Sequence, residues 1–196
     1  MVANQELFLL APIGALAALF FAVLFFRTMK KADAGTERMQ EIAGYVKEGA
    51  QAYLSQQYKV VSVFFGFAFL FFLFLAFVLK VQSPWVPFAF ITGGFFSGLA
   101  GYIGMKTATL ASVRTTQAAR TSLNKALQIA FRSGSVMGLT VVGLALLDIS
   151  VWFIVLYYGV KLPLQQVTTI MLSFGIGASS QALFARVGGG IYTKAA

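Results

Sequence analysis

Two basic side chains in the final stretch, LFARVGGGIYTKAA, are the residues of this sequence best suited to chemistry. Arg186 and Val187 precede three consecutive glycines, which leave room beside the backbone for a ligand or another chain segment. An arginine beside such a gap suits a carboxylate or a phosphate, and Lys194 is a compact charge that suits a phosphate oxygen. On one helix the two would lie about 12 Å apart along the axis, on faces that differ by about 80°.

The alternative for this pair is that both cations extend to the membrane surface at the end of an apolar helix. There they would also interact favourably with the helix C-terminus. Lys194 fits either interpretation, whereas Arg186 lies deeper in the apolar stretch and beside the glycines. We therefore expect Arg186 to line a site.

Asp148 is a third candidate because it lies inside a long apolar segment. A carboxylate in a membrane is costly unless it is paired or hydrated, so it is by default a functional hypothesis. Its distance from Arg132 along the segment places it in the far half of the membrane, which favours a structural pair or hydrogen bond.

Composition excludes most other chemistry. Hydrophobic residues make up 59% of the chain and charged residues 11%, against about 25% charged in soluble domains. The absence of cysteine and histidine from the sequence removes thiolate nucleophiles, the commonest metal ligand and the commonest general base. The few acids include no paired-carboxylate motif, and the chain has no phosphate-binding loop or catalytic triad. This sequence alone cannot assemble a magnesium–phosphate site or a hydrolase.

These residues must be positioned by membrane-spanning helices. Five stretches reach the roughly 20 apolar residues that a bilayer requires. They cover approximately 7–26, 60–79, 88–105, 134–158 and 168–188. The sequence therefore predicts an all-α, polytopic transmembrane bundle, with 1–196 as a single transmembrane domain. The first stretch is expected to be retained, because its basic flank follows the apolar run, unlike that of a signal peptide.

Basic residues predict the orientation. The connections 27–59 and 106–132 carry six and five lysines or arginines, whereas the other two connections carry only Lys80 and Lys161. The positive-inside rule places the N-terminus outside and the C-terminus in the cytoplasm. The formal net charge of +9 is accordingly expected to face lipid headgroups rather than nucleic acid.

Local patterns predict further detail. Residues 37–79 have no strong breaker and are expected to form one helix of about 64 Å, with Thr36 as its N-cap. Segment 106–132 is expected to form one or two short helices on the cytoplasmic surface. Glycines and serines four residues apart, such as Gly94 and Gly98 or Gly134 and Gly138, are expected to mark helix–helix packing in the third and fourth spans.

Four segments carry a resemblance to a known family: EIAGYVKEGAQAYLSQQYK, GLAGYIGMKTATLASVRTTQAA, LNKALQIAFRSGSVMG and GASSQALFARVGGGIYTKAA. They strongly resemble the membrane-integral, ion-pumping inorganic pyrophosphatases, in order along essentially the whole chain. The glycine-rich final segment is the most specific of the four.

The resemblance implies a pump of about sixteen helices in two rings, working as a homodimer. It would couple magnesium-dependent pyrophosphate hydrolysis to export of protons or sodium, from a prokaryotic plasma membrane or an acidic-organelle membrane. Lys194 would contact pyrophosphate, and Arg186 would join hydrolysis to the ion pathway. The family's acidic, magnesium-binding motifs would follow Ala196, so we expect an N-terminal fragment that is inactive alone.

Two other functions stay open. One is a stand-alone structural or assembly membrane protein, which predicts a stable species in detergent. The other is an anion channel or carrier that uses Arg186 and Lys194 as selectivity charges, which predicts a flux that responds to Arg186→Ala.

Overall fold

Five long helices form the molecule. A computed structural model describes residues 8–195, with side chains as far as residue 190. The helices are α1 (Leu10–Lys30), α2 (Glu37–Leu73, extended by a π-helical turn, Phe74–Val78), α3 (Val86–Ala119), α4 (Leu123–Phe153, extended by a π-helical turn, Ile154–Gly159) and α5 (Leu164–Ala195). All five are long and apolar enough to cross a membrane, and residues 8–195 contain no strand. The predicted all-α class with five spans is confirmed, and the sidedness of the termini stays a prediction.

The predicted long second helix is present, and its cap is the expected one. The Thr36 hydroxyl accepts a hydrogen bond from the Met39 backbone N–H at 3.4 Å. This contact satisfies one of the amide groups that a helix start leaves without an intrahelical partner. At the α3–α4 turn, the Ser122 hydroxyl accepts in the same way from the Lys125 N–H at 3.5 Å.

The prediction of short surface helices in segment 106–132 is wrong. α3 continues unbroken to Ala119 and α4 begins at Leu123, so the segment prolongs two spans and turns once between them. Its polar residues remain compatible with a helix because they hydrogen-bond back to it. The Thr107 hydroxyl, for example, donates to the Ile103 carbonyl at 2.7 Å.

The two turns at the opposite end of the bundle share one conformation. Each follows a π-helical turn, and each places a lysine in the left-handed region: Lys80 at φ 54° and Lys161 at φ 60°. A left-handed residue after the last helical turn ends a helix. A lysine there also interacts favourably with the partial negative charge of the helix C-terminus.

α3 lies at the centre of the packing. It contacts α2, α4 and α5, while α1 packs against α4. α3 and α5 cross at two glycines: a Cβ atom at Gly93 or Gly177 would overlap the backbone carbonyl oxygen of Phe174 or Phe90, respectively. Small residues thus allow close approach of these two helices, as expected for membrane bundles.

Packing at the fourth span differs from its prediction. Gly134 and Gly138 are exposed, and a Cβ atom at either position would have no described atom within 4 Å. Gly143 supports the α1–α4 contact instead, since a Cβ atom there would lie 2.8 Å from Leu19 Cγ. Spacing alone suggested the first pair, but the glycine that faces a neighbour lies elsewhere on the helix.

Candidate functional site

The second half of α5 carries the candidate site. The helix runs without interruption through all three glycines to Ala195. Each glycine lowers helix stability by about 1 kcal/mol relative to alanine. Gly188 has a packing reason to be glycine, because a Cβ atom there would overlap the Tyr53 hydroxyl of α2. Beside Gly190 there is space, since a Cβ atom would meet none of the described atoms within 4 Å.

Arg186 is exposed on this half of α5. Within the described residues its guanidinium has no acidic partner, and the one ion pair found there joins Arg38 and Glu41 on α2 at 2.8 Å. Its neighbours along the helix face are apolar and also exposed: Leu183 by 63% and Val187 by 57%. The surface around Arg186 is therefore uncovered among the described residues, whereas Gly188 packs against Tyr53, and the predicted room for a ligand beside the glycines stays a prediction.

Lys194 lies on the last turn of α5, so Arg186 and Lys194 share one helix as their spacing predicted. The Lys194 side chain lies outside the part of the chain whose side chains are described. Its contact with a phosphate therefore stays a prediction.

Asp148 is buried between α3 and α4, with 3% of its surface exposed. The Thr92 side chain of α3 lies near its carboxyl group, but among the described residues Asp148 Oδ2 has no hydrogen-bond partner. Thr92 Oγ1 in turn accepts a hydrogen bond from Trp152 Nε1 at 2.8 Å and lies 3.1 Å from the Ala89 carbonyl oxygen. The Trp152–Thr92 hydrogen bond thus joins α4 to α3 beside Asp148, and the structural role of Asp148 stays a prediction.

Thr92 and Trp152 were not among the residues singled out from the sequence. The signal for Trp152 was available, because positions four apart lie on one helix face and Trp152 follows Asp148 by four. Nothing in the sequence linked Thr92 to that face, since it belongs to another helix.

Asp33 fixes the loop between α1 and α2 to α3. Its carboxylate accepts hydrogen bonds from the Gly35 backbone N–H at 2.9 Å and from Gln117 Nε2 at 3.0 Å. These bonds, the backbone one foremost, lower the pKa of Asp33 from its ordinary value because they favour the charged form. Gly35 adopts φ +80° in this loop, a conformation that glycine takes without strain.

The described residues do not fit a magnesium site. Among them, no group of three or more acidic side chains lies close enough to hold a metal ion. The basic end of the bundle is the end that carries the connections 27–59 and 106–132. The acidic residues near it lie on the loop before α2 and along α2, and Asp148 is remote from them along the chain. No catalytic step can be derived from a metal held by this part of the molecule.

Comparison with known proteins identifies the family. The sequence model of inorganic H+ pyrophosphatases matches residues 16–196. The chain belongs to this family. Among its relatives, a protein of Bacteroides thetaiotaomicron named as a candidate K(+)-stimulated pyrophosphate-energized sodium pump is 57% identical over 98% of this chain. K(+)-insensitive pyrophosphate-energized proton pumps of Methanosarcina mazei and Moorella thermoacetica are each 44% identical, also over 98% of this chain.

The matched region is one part of each of these pumps. The chain spans 27% of the length of all three relatives. The family resemblance inferred from the four sequence segments is confirmed, and these relatives are named as a candidate sodium pump and as proton pumps.

Proposed function

We propose that this chain is the N-terminal part of a pyrophosphate-energised membrane pump that exports protons or sodium. The observation that carries the proposal is the family match over residues 16–196, together with relatives that are pumps of this kind. The five helices would form part of an integral membrane bundle in a prokaryotic plasma membrane or an acidic-organelle membrane. The basic connections would face the cytoplasm, and the complete pump would be a homodimer.

Arg186 and Lys194 are assigned the functional roles within this part. Lys194 would contact a phosphate oxygen of pyrophosphate, and Arg186 would couple hydrolysis to the ion pathway. The exposure of Arg186 without an acidic partner among the described residues supports this assignment. Since arginine forms paired hydrogen bonds with carboxylates, a carboxylate on another helix of the pump is the expected partner.

Hydrolysis would require groups that these five helices do not supply. Magnesium neutralises charge that develops on a transferred phosphoryl group, and carboxylates hold it. Since the described residues do not fit a magnesium site, those ligands are assigned to further parts of the pump. The chain alone is therefore expected to be inactive.

A chimera tests this proposal. In it, these 196 residues replace the matching segment of the Bacteroides thetaiotaomicron relative. We expect magnesium-dependent pyrophosphate hydrolysis and ion uptake by inverted vesicles, because the two sequences are 57% identical here. Arg186→Gln should uncouple uptake from hydrolysis, and Lys194→Ala should raise the KM for pyrophosphate. Lys161→Ala, a lysine removed from the opposite end, is the matched control and should change neither. A chimera that folds and assembles but does not hydrolyse pyrophosphate would contradict the proposal.

A further inference from the structure

A cavity at the basic end of the bundle is separate from the α5 site. It lies between α1, α3 and α4 and has a volume of about 430 Å³. Four cationic side chains, from the loop after α1, from α3 and from α4, contribute to its wall: Lys31, Arg114, Lys125 and Arg132. The one acidic residue of the wall is Asp33.

Within the described residues, no ion pair balances the positive charges of this cavity. Both oxygens of Asp33 already accept hydrogen bonds, from Gly35 and Gln117, and no ion pair links Asp33 to a described cation. Arg114 donates from Nη1 to the Leu110 carbonyl at 2.7 Å, while its Nε is buried with no acceptor among the described residues. A buried donor without an acceptor is costly, so this wall is suited to an anionic ligand with several oxygen atoms.

An apolar hollow continues from the cavity along the outer surface of the bundle. It has a volume of about 470 Å³ and shares Gln128 and Arg132 with the basic cavity. The rest of its wall is mostly apolar and consists of Phe25, Leu127, Ala130, Phe131 and Ser135. Phe131 is 78% exposed, which is expected of a side chain that faces lipid. The two spaces together offer a place for a charged group and for a hydrocarbon chain that leads away from it.

We propose that the basic cavity and the adjoining apolar hollow bind one anionic phospholipid. The phosphate would meet Arg114, Lys125 and Arg132, and an acyl chain would lie along Phe25 and Phe131. Free phosphate or pyrophosphate would use the cavity alone and leave the hollow without a role. A zwitterionic lipid carries its own cation, which these side chains would repel. Basic pockets between membrane helices have the charge that anionic headgroups require.

Photocrosslinking in vesicles tests this site on the full chain. The chain is inserted into phosphatidylcholine vesicles that contain a small fraction of a diazirine-labelled lipid, either phosphatidylglycerol or phosphatidylcholine. The adducts are then located by peptide mass spectrometry. We expect the phosphatidylglycerol probe to label residues 127–131 at least about fivefold more than the phosphatidylcholine probe, since each basic contact near a headgroup contributes about that factor. Equal labelling by the two probes would overturn the proposal.

Matched variants distinguish the contribution of the cavity's cations to lipid preference from that of other cations on the same surface. The double variant Arg114→Gln/Arg132→Gln should lower the preference for phosphatidylglycerol by about 25-fold or to the level of the control lipid, since two such contacts are lost. The control Lys30→Gln/Arg120→Gln removes the same charge from two exposed side chains at the same end that do not line the cavity, and it should retain the preference. An equal loss in both variants would overturn the assignment to this cavity.

Soluble competitors distinguish the two sources of phosphate. Pyrophosphate or glycerol 3-phosphate, at the concentration of the lipid probe, should leave the labelling of the unsubstituted chain unchanged because neither provides an acyl chain for the hollow. Competition by either one would indicate a site for free phosphate and would contradict the lipid assignment. This arm requires no substitution, so it does not depend on whether a variant folds.

Discussion

The two halves of α5 have similar small and apolar residues but different surroundings. In the first half, Val167, Ile170 and Phe174 are buried against α3 and α4, and Gly177 brings the backbone of α5 against that of α3. In the second half, Leu183, Arg186 and Val187 are exposed. Each half also has exposed apolar side chains, such as Leu172 in the first half. The second half differs because Gln181 is the one buried residue within 181–190 and because Arg186 lies on its exposed side. Packing within this chain therefore holds the first half of α5 in place, whereas the exposed side of the second half carries Arg186.

The largest expected effect comes from placing a leucine at the α3–α5 crossing. Gly177→Leu would insert a side chain where a Cβ atom already overlaps the Phe90 carbonyl oxygen, which is backbone and cannot move aside. We expect the free energy of unfolding, measured by SDS titration in mixed micelles, to fall by about 3 kcal/mol or more. The matched control is Gly190→Leu on the same helix, where the space is open. A control that is equally destabilised would show that the two halves do not differ as described.

The next largest effect concerns the hydrogen bond between Trp152 and Thr92, which lies beside the first half of α5. Trp152 packs in the same cluster as Val167 and Ile170 and donates to Thr92. Trp152→Phe keeps most of the apolar contact and removes this hydrogen bond. The free energy of unfolding should fall by about 1 kcal/mol from the lost bond, with a further loss from the smaller ring. In a Thr92→Val background, the part of the loss that comes from the hydrogen bond should disappear. A double-mutant cycle of these two substitutions with no coupling free energy would contradict the Trp152–Thr92 contact.

A smaller effect on the free energy of unfolding is expected in the second half of α5. Arg186→Gln should change the free energy of unfolding by less than about 0.5 kcal/mol, because Arg186 is exposed and has no ion pair within the described residues. Arg186→Lys is the conservative control. A clear destabilisation by the glutamine variant would mean that the second half of α5 is already tied to this chain.

The smallest effect concerns the loop that joins α1 and α2. Since the folded-state pKa of Asp33 is lowered below its ordinary 3.8, its bonds stabilise the loop above that pH and the stabilisation is lost as pH falls towards the folded value. A spin label attached at Ala34→Cys, in a chain without other cysteines, should therefore become more mobile below about pH 4, as measured by electron paramagnetic resonance. The same label in an Asp33→Asn background should have a mobility that changes less with pH. Equal pH dependence in both would contradict the role of Asp33.

Local signals in the sequence predicted part of this architecture. Apolar runs located the five spans, and Thr36 with an unbroken run after it predicted the start and length of α2. The end of α3 at Ala119 was not predicted, because segment 106–132 lacks a long apolar run. Thr107, Thr109 and Thr116 satisfy their hydroxyl groups within the helix. Length and hydrophobicity do not report such bonds.

Contacts between helices were harder to predict. The glycines that pack depend on helix rotation, so Gly143 rather than Gly134 or Gly138 faces a neighbour. The basic cavity assembles side chains from the loop after α1, from α3 and from α4, and no spacing in the sequence indicates it. In the α5 site, by contrast, the residue types and the three glycines were sufficient to single out Arg186 and Lys194 before any contact was known.

We propose that the second half of α5 supplies one side of a pyrophosphate site and that the metal-binding side lies elsewhere in a larger pump. Membranes that contain only these 196 residues test it most directly, through phosphate release from pyrophosphate with and without magnesium. We expect no magnesium-dependent release above that of membranes without the chain, under conditions in which the chimera with the relative is active. Magnesium-dependent hydrolysis by the chain alone, lost in Lys194→Ala, would contradict it.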